Sequence, residues 1–216
     1  MAEIFHKELE NLKTNVLKMG ELSTGMLCEA VESLKDLDVP KAEGVQARKI
    51  ELAAQNIKLE EEALRLIALY QPMAVDMRTI ACVLKMITAL NRIGRYGKDI
   101  AKVAQEIAPG PHIKKIVSLP HMNSLVCSMI HDALEAFQTC NIDKLKNFNE
   151  RDNDVDALRY SIFRECLSYM IENPQNITMC THYILVARYL ERCGDHACDM
   201  AEEIIYMVSG NRVQIK

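Results

Sequence analysis

The sequence predicts an all-α protein made of two tandem three-helix bundles, six long antiparallel helices related by internal duplication. Three observations predict it. Apolar residues recur at three- and four-residue steps along most of the chain, and no segment alternates with period two for long enough to make a strand. Glycine and proline are scarce, 8 and 6 in 216 residues, while Leu, Ala, Met, Glu and Lys are plentiful; long helices with few turns have that composition. Finally, Leu90-Asn91-Arg92-Ile93-Gly94-Arg95-Tyr96-Gly97-Lys98-Asp99-Ile100-Ala101 returns 100 residues later as Leu190 to Ala201, with Leu, Arg, Gly, Asp and Ala in register. Such a period is too long for a solenoid unit and fits three long helices per repeat.

The first helix is marked by Phe5, Leu9, Leu12, Val16, Met19, Leu22, Met26, Ala30, Leu34 and Leu37, one apolar stripe over many turns. Asp38-Val39-Pro40 ends it, with Asp38 suited to N-cap the next helix and Pro40 to its first turn. The second helix is expected from about Ala42 to Tyr70, facing the core with Val45, Ala53, Ile57, Leu64 and Ile67. Gln71-Pro72 breaks it. The third opens at Met73, with Asp76 in its first turn, where a negative charge meets the helix dipole favourably. Ala108-Pro109-Gly110-Pro111 stops it and is the clearest linker, so the domains are read as 1–108 and 109–216. A fourth helix ends near Thr139 and begins at Ile113 or Pro120, which either starts or kinks it. Asn141 is expected to cap a fifth, about Asp143 to Ile171. Glu172-Asn173-Pro174 turns into a sixth, about Gln175 to Val208, with Gly210 as its C-terminal cap.

The net charge is -4, with acids and bases interleaved. No Lys/Arg stripe interleaved with aromatics appears, which argues against nucleic acid as a partner. No apolar run approaches the roughly 18 residues of a spanning helix. Met1-Ala2-Glu3-Ile4-Phe5-His6-Lys7 lacks the basic start and apolar centre of a secretory leader. Eight cysteines, at 28, 82, 127, 140, 166, 180, 193 and 198, include no Cys-x-x-Cys, and several sit where apolar residues are expected. They read as reduced, packed thiols of a cytoplasmic protein.

Glu191, Asp195 and Asp199 follow one another at i, i+4 steps, which stacks three carboxylates on one helix face. Like charges so placed repel, so the face is either solvated or holds a cation. The earlier copy carries Asn91 and Arg95 at the first two of these positions, so only the second repeat keeps the acidic pattern. The fifth helix adds Asp152 and Asp156, again i, i+4. In an antiparallel bundle these acids can converge on the sixth helix, a donor set for hard or borderline cations such as Mg, Mn, Ca or Fe. Cys193, His196 and Cys198 lie among them; the two thiols read as packed rather than as ligands of a mixed Cys/His site, and the methionines read as core. Catalysis finds little support: there is no P-loop, no G-x-G-x-x-G and no paired inward Glu-x-x-His.

Two motifs resemble one family. Gln71-Pro72-Met73-Ala74-Val75-Asp76-Met77-Arg78 resembles the Q-P-x-A-x-D-L-R signature of the PhoU family, so Gln71, Pro72, Asp76 and Arg78 are its signature residues, in a structural or partner-contact role. Leu190 to Met200 resembles the E-R-I-G-D-x-x-x-[ND] signature of each PhoU repeat. The resemblance covers the whole chain. It implies metal clusters bound by acidic pairs on the second and third helix of a repeat. Here those pairs are Asp152/Asp156 and Glu191/Asp195, with Lys49/Ala53 and Asn91/Arg95 at the first-repeat positions. One site is therefore expected, on the second bundle only, for iron or another divalent ion (Mn, Mg or Zn). The resemblance further implies a regulator, not an enzyme. Such a protein represses phosphate uptake and starvation signalling by contacting the ATPase and permease components of the phosphate transporter and a sensor histidine kinase. It acts from the cytoplasm, peripheral to the membrane at most, as a homodimer. The alternatives are a metal-dependent enzyme using the second-repeat acids and an accessory subunit of a low-affinity phosphate permease.

Overall fold

The computed structural model describes residues 2–215, and the backbone alone for Ala2; Met1 and Lys216, the outer ends of the two expected domains, lie outside them. Among the described residues, seven α-helices run in order: α1 (Ala2–Asp36), α2 (Val39–Ala47), α3 (Lys49–Tyr70), α4 (Val75–Ile107), α5 (Ser118–Thr139), α6 (Phe148–Glu172) and α7 (Ile177–Ser209). Single 3-10 turns, Asp143–Leu145 and Pro174–Asn176, precede α6 and α7, and no strand occurs among the described residues. The structure is all-α, as expected. At 33 residues each, α4 and α7 are about 50 Å long.

The predicted second helix is two helices. Asp38 caps α2 by accepting the Lys41 N–H at 3.0 Å, with Pro40 in the first turn. The path then turns at Arg48, which closes α2 and opens α3. Arg48 is held there by the Glu29 carboxylate of α1. The expected core face of this segment also needs correction. Leu52, Leu59, Ala63 and Leu66 are buried, whereas Ala53, Ile57 and Leu64 face solvent. The buried face continues from Val45 in seven-residue steps through Leu52, Leu59 and Leu66; the expected stripe followed a second apolar row, Ala53, Ile57 and Leu64, that lies beside it on the exposed side.

The other boundaries have local causes. Gln71 and Ala74 adopt positive φ, 48° and 50°, so α4 opens at Val75 rather than Met73. Pro120 sits in the first turn of α5, where its missing N–H costs nothing. Asn141 accepts the Asp143 N–H at 3.0 Å, but it caps only the 3-10 turn; α6 starts at Phe148. Gly210 ends α7 at φ 76°, a conformation that favours glycine.

The helices pack in layers. α1, α4, α7 and α5 form a central ring in which each touches the next, α1 against α4, α4 against α7, α7 against α5, and α5 against α1. α3 lies outside on α1 and α4, and α6 outside on α5 and α7. One continuous apolar core runs through the ring, from Leu12, Met19 and Met26 to Met122, Phe137 and Ile204. Gly97 sets the closest approach. A Cβ there would meet the backbone of Met26 and Leu27 at 2.9 Å, so α1 and α4 touch main chain to main chain.

Candidate functional site

The acidic face lies where α6 packs on α7, beside α4. α6 turns Asp152, Val155 and Ile162 inward, and α7 turns Leu190, Glu191, Gly194 and Ala197 inward. Asp152 is only 2% exposed. Its Oδ1 would lie 3.5 Å from a Cβ on Gly194, so the carboxylate fills the space that glycine leaves. The same construction recurs 100 residues earlier, where Gly94 lies against the side chain of Leu52. Gly194 meets Val155 Cγ1 at the same 3.5 Å, and the buried residues of the outer helices match as Leu52 with Val155, Leu59 with Ile162 and Ala63 with Cys166, a register that sets Lys49 and Ala53 against Asp152 and Asp156. The carboxylate pair is absent from the first repeat, since neither lysine nor alanine carries a negative charge. Asp156 keeps a buried Oδ1 without a hydrogen-bond partner.

Asp156, Glu191, Asp195 and Asp199 line one open groove of about 850 Å³ between α7, α6 and α4. Asp152 lies beneath it. The groove brings these acids onto one surface, with cations among them. Glu191 is 8% exposed and pairs with Arg188 one turn away on α7 and with Arg159 Nε of α6 at 3.4 Å. Asp195 has Arg192 Nη1 at 3.4 Å. Asp199, at the outer lip, has His196 Nδ1 at 3.2 Å. Arg92 of α4 joins the lining. Arg188 and Arg192 were legible as i−3 partners of the acids; Arg159 stands at no such spacing, because it reaches across from another helix.

Aromatic rings close the groove against α4. The His196 ring stacks on Tyr96, 23° between planes, and Tyr96 packs on Tyr189. Cys193 and Cys198 are buried. Burial pushes the Cys193 thiol well above its ordinary range, so it is a packing group rather than a ligand poised to ionise.

The donor set is that of a hard cation site, four to five carboxylates with the Asp156 Oδ1 unclaimed. The present geometry is a set of ion pairs instead. Among the described residues, no three His, Cys, Asp or Glu side chains converge to hold a metal. A divalent ion would use Asp156, Glu191 and Asp195 and would have to displace Arg188 and Arg159 from Glu191. The residues fit such an ion in kind, and the arginines compete with it for the same oxygens.

The signature residues fall elsewhere. Gln71 is the left-handed cap of α3, donating its N–H to Ile67 O at 3.1 Å. Pro72 follows in the turn, and Asp76 stands in the first turn of α4. Arg78 reaches the far repeat: its Nε donates to Met207 O at 3.4 Å, and its guanidinium lies beside Gly210. A cation is thus placed at the C-terminal end of α7, the favourable end for positive charge. Arg78 ties the start of one repeat's third helix to the end of the other's.

Comparison with known proteins agrees with this architecture. The PhoU domain model matches twice, at residues 16–104 and 119–204. A Clostridium acetobutylicum relative described as a phosphate-specific transport system accessory protein PhoU homolog is 33% identical over 214 residues, 99% of this chain and 98% of that protein. A Rhizobium meliloti protein of the same description is 35% identical over 211 residues, 97% of this chain and 89% of that protein. The crystal structure of PhoU from Pseudomonas aeruginosa superposes with a TM-score of 0.92 at 33% identity, covering 96% of this chain and 100% of that one. The phosphate transport system regulatory protein PhoU from Streptococcus pneumoniae gives 0.89 at 25% identity, over 97% and 99% of the two chains. Two matched domains, full-length relatives and the shared helical layers together place this chain in the PhoU family.

Proposed function

We propose that this chain is an accessory regulator of phosphate transport that restrains uptake by binding transporter components when phosphate is plentiful. The relatives' role as accessory proteins of phosphate-specific transport systems, over nearly the full length of both chains, carries this reading. The surface supports it. The outer helices leave large apolar side chains in solvent: Ile50, Ile57, Leu64 and Leu69 on α3, and Tyr160, Phe163, Leu167 and Ile171 on α6. Exposed apolar side chains in such rows suit partner helices. Among the described residues no helix is long and apolar enough to cross a membrane. In this reading the chain acts from the cytoplasm through partners: the transporter ATPase and permease and, where present, a sensor kinase. It works as a homodimer.

The second-repeat acids serve this function as a single regulatory site for a divalent ion, iron, manganese, magnesium or zinc. The unclaimed Asp156 Oδ1 and the buried Glu191 favour it. Asp156, Glu191 and Asp195 would hold the ion, which would supply a positive charge in place of Arg159 and Arg188 beside Glu191. No turnover is assigned to it.

Tagged chain expressed in its own host and recovered from solubilised membranes tests the partner. The ATPase subunit of the phosphate transporter should co-purify, and recovery should fall several-fold for a variant with Ile57 and Leu64 changed to Ser. Recovery without any transporter subunit would count against the proposal.

A further inference from the structure

We propose that Cys28 and Cys127 are a modification site, a thiol pair that a hydroperoxide oxidises reversibly to a disulfide joining the first repeat to the second. Cys28 lies on α1 and Cys127 on α5, helices that pack against each other at the junction of the repeats. Their Sγ atoms stand 2.7 Å apart. A disulfide spans about 2.05 Å, so the sulfurs have only a fraction of an ångström left to travel. Both residues are half-buried, which lets a small oxidant in, whereas Cys82, Cys166, Cys180, Cys193 and Cys198 are buried.

The surroundings make the two thiols unequal. The hydrogen bond with Cys127, with a smaller one from Asn123, holds Cys28 below the ordinary thiol range, against the opposing effects of burial and of Glu32 and Glu29. The same contact, with burial, drives Cys127 upward. Asn123, itself buried, faces both sulfurs; its Oδ1 lies 3.5 Å from Cys127 Sγ. Cys28 is therefore the attacking sulfur and Cys127 the resolving one.

The chemistry balances with hydrogen peroxide as the oxidant. The Cys28 thiolate attacks one peroxide oxygen and the O–O bond breaks. A sulfenic acid forms on Cys28, and the other oxygen leaves as water with the thiol's proton. Cys127 sulfur then attacks the sulfenic sulfur, the S–O bond breaks, and a second water leaves with the Cys127 proton. Two thiols and one peroxide give one disulfide and two waters. A dithiol reductant reverses the bond by exchange.

The test uses the full chain carrying Cys140→Ser, which removes the exposed thiol. The protein is treated with hydrogen peroxide, alkylated, digested and mapped by mass spectrometry. The expected product is a cross-linked peptide pair containing Cys28 and Cys127, two hydrogens lighter than the reduced pair and restored by dithiothreitol. Because the cysteines are 99 positions apart, the bond closes a long loop of the unfolded chain. The oxidised form should then unfold several degrees higher, a shift that Cys28→Ser abolishes. Both thiols remaining open to alkylation, or ending as separate oxygen adducts without a cross-link, would overturn the proposal.

Discussion

Gly97 and Gly94 occupy the same face of α4, yet they answer to different neighbours. A Cβ on Gly97 runs into the Met26 and Leu27 main chain at 2.9 Å, and main chain cannot step aside. A Cβ on Gly94 meets only the end of the Leu52 side chain, which can rotate. Gly97→Ala should therefore destabilise by about 1–3 kcal/mol, the usual range for overpacking, and Gly94→Ala by less. Urea denaturation of both variants checks the order. At the acidic groove, Arg159 holds the nearly buried Glu191 from across the helix interface. Arg159→Met should cost about 1–3 kcal/mol, because a buried carboxylate loses one of its two cations. The same change should raise the affinity for a divalent ion, since one competitor for Glu191 is gone. Calorimetric titration with manganese measures it, and unchanged or weaker binding would contradict the ion reading. The residue types for this site were legible in the sequence. The sequence hid Arg159, which reaches in from α6. Its place depends on which faces meet, and a helix pattern leaves that open until a neighbour is known.

At the level of elements, apolar periodicity predicted α1, α4 and α7 well, because each buries a long stripe in the central ring and nearly every stripe residue is inside. It failed for α3. An outer helix buries only a narrow seam, and its exposed face carries apolar residues of its own, so two stripes compete for one core assignment. The break at Arg48 was invisible for a related reason: it is one residue that keeps helical φ and ψ and pairs with the Glu29 carboxylate of another helix, and neither glycine nor proline stands at it. The helix ends bear weight of their own. Asp38→Ala removes the α2 cap and should cost about 1 kcal/mol. Arg78→Met removes a donor and a cation from the end of α7 and should cost about the same. Amide exchange should then quicken through the last turn of α7, which lies 129 positions away from the substitution.

For the whole molecule, the duplication seen in the sequence becomes a shared interior. α4 and α7, one from each repeat, pack on each other inside a single apolar core. Heat should accordingly unfold the chain in one cooperative transition rather than one per repeat, which calorimetry decides. The interior also sets an alkaline limit. Burial pushes Cys166 and Tyr183 up to about 12, from 9.0 and 10.0, and raises Cys82 and Cys193 as well. Below about pH 9 these groups are protonated in both states and cost nothing. Above it the unfolded chain sheds protons that the folded chain retains, so stability should fall steadily toward pH 12.

The regulatory role is exposed most directly by phosphate uptake in living cells. Radiolabelled phosphate accumulation is compared, in phosphate-rich medium, between the parent strain, a strain lacking this gene and the same strain carrying it again. Restraint by this chain predicts several-fold higher accumulation in its absence and a return to the parental rate on restoration. Equal accumulation in all three would contradict it.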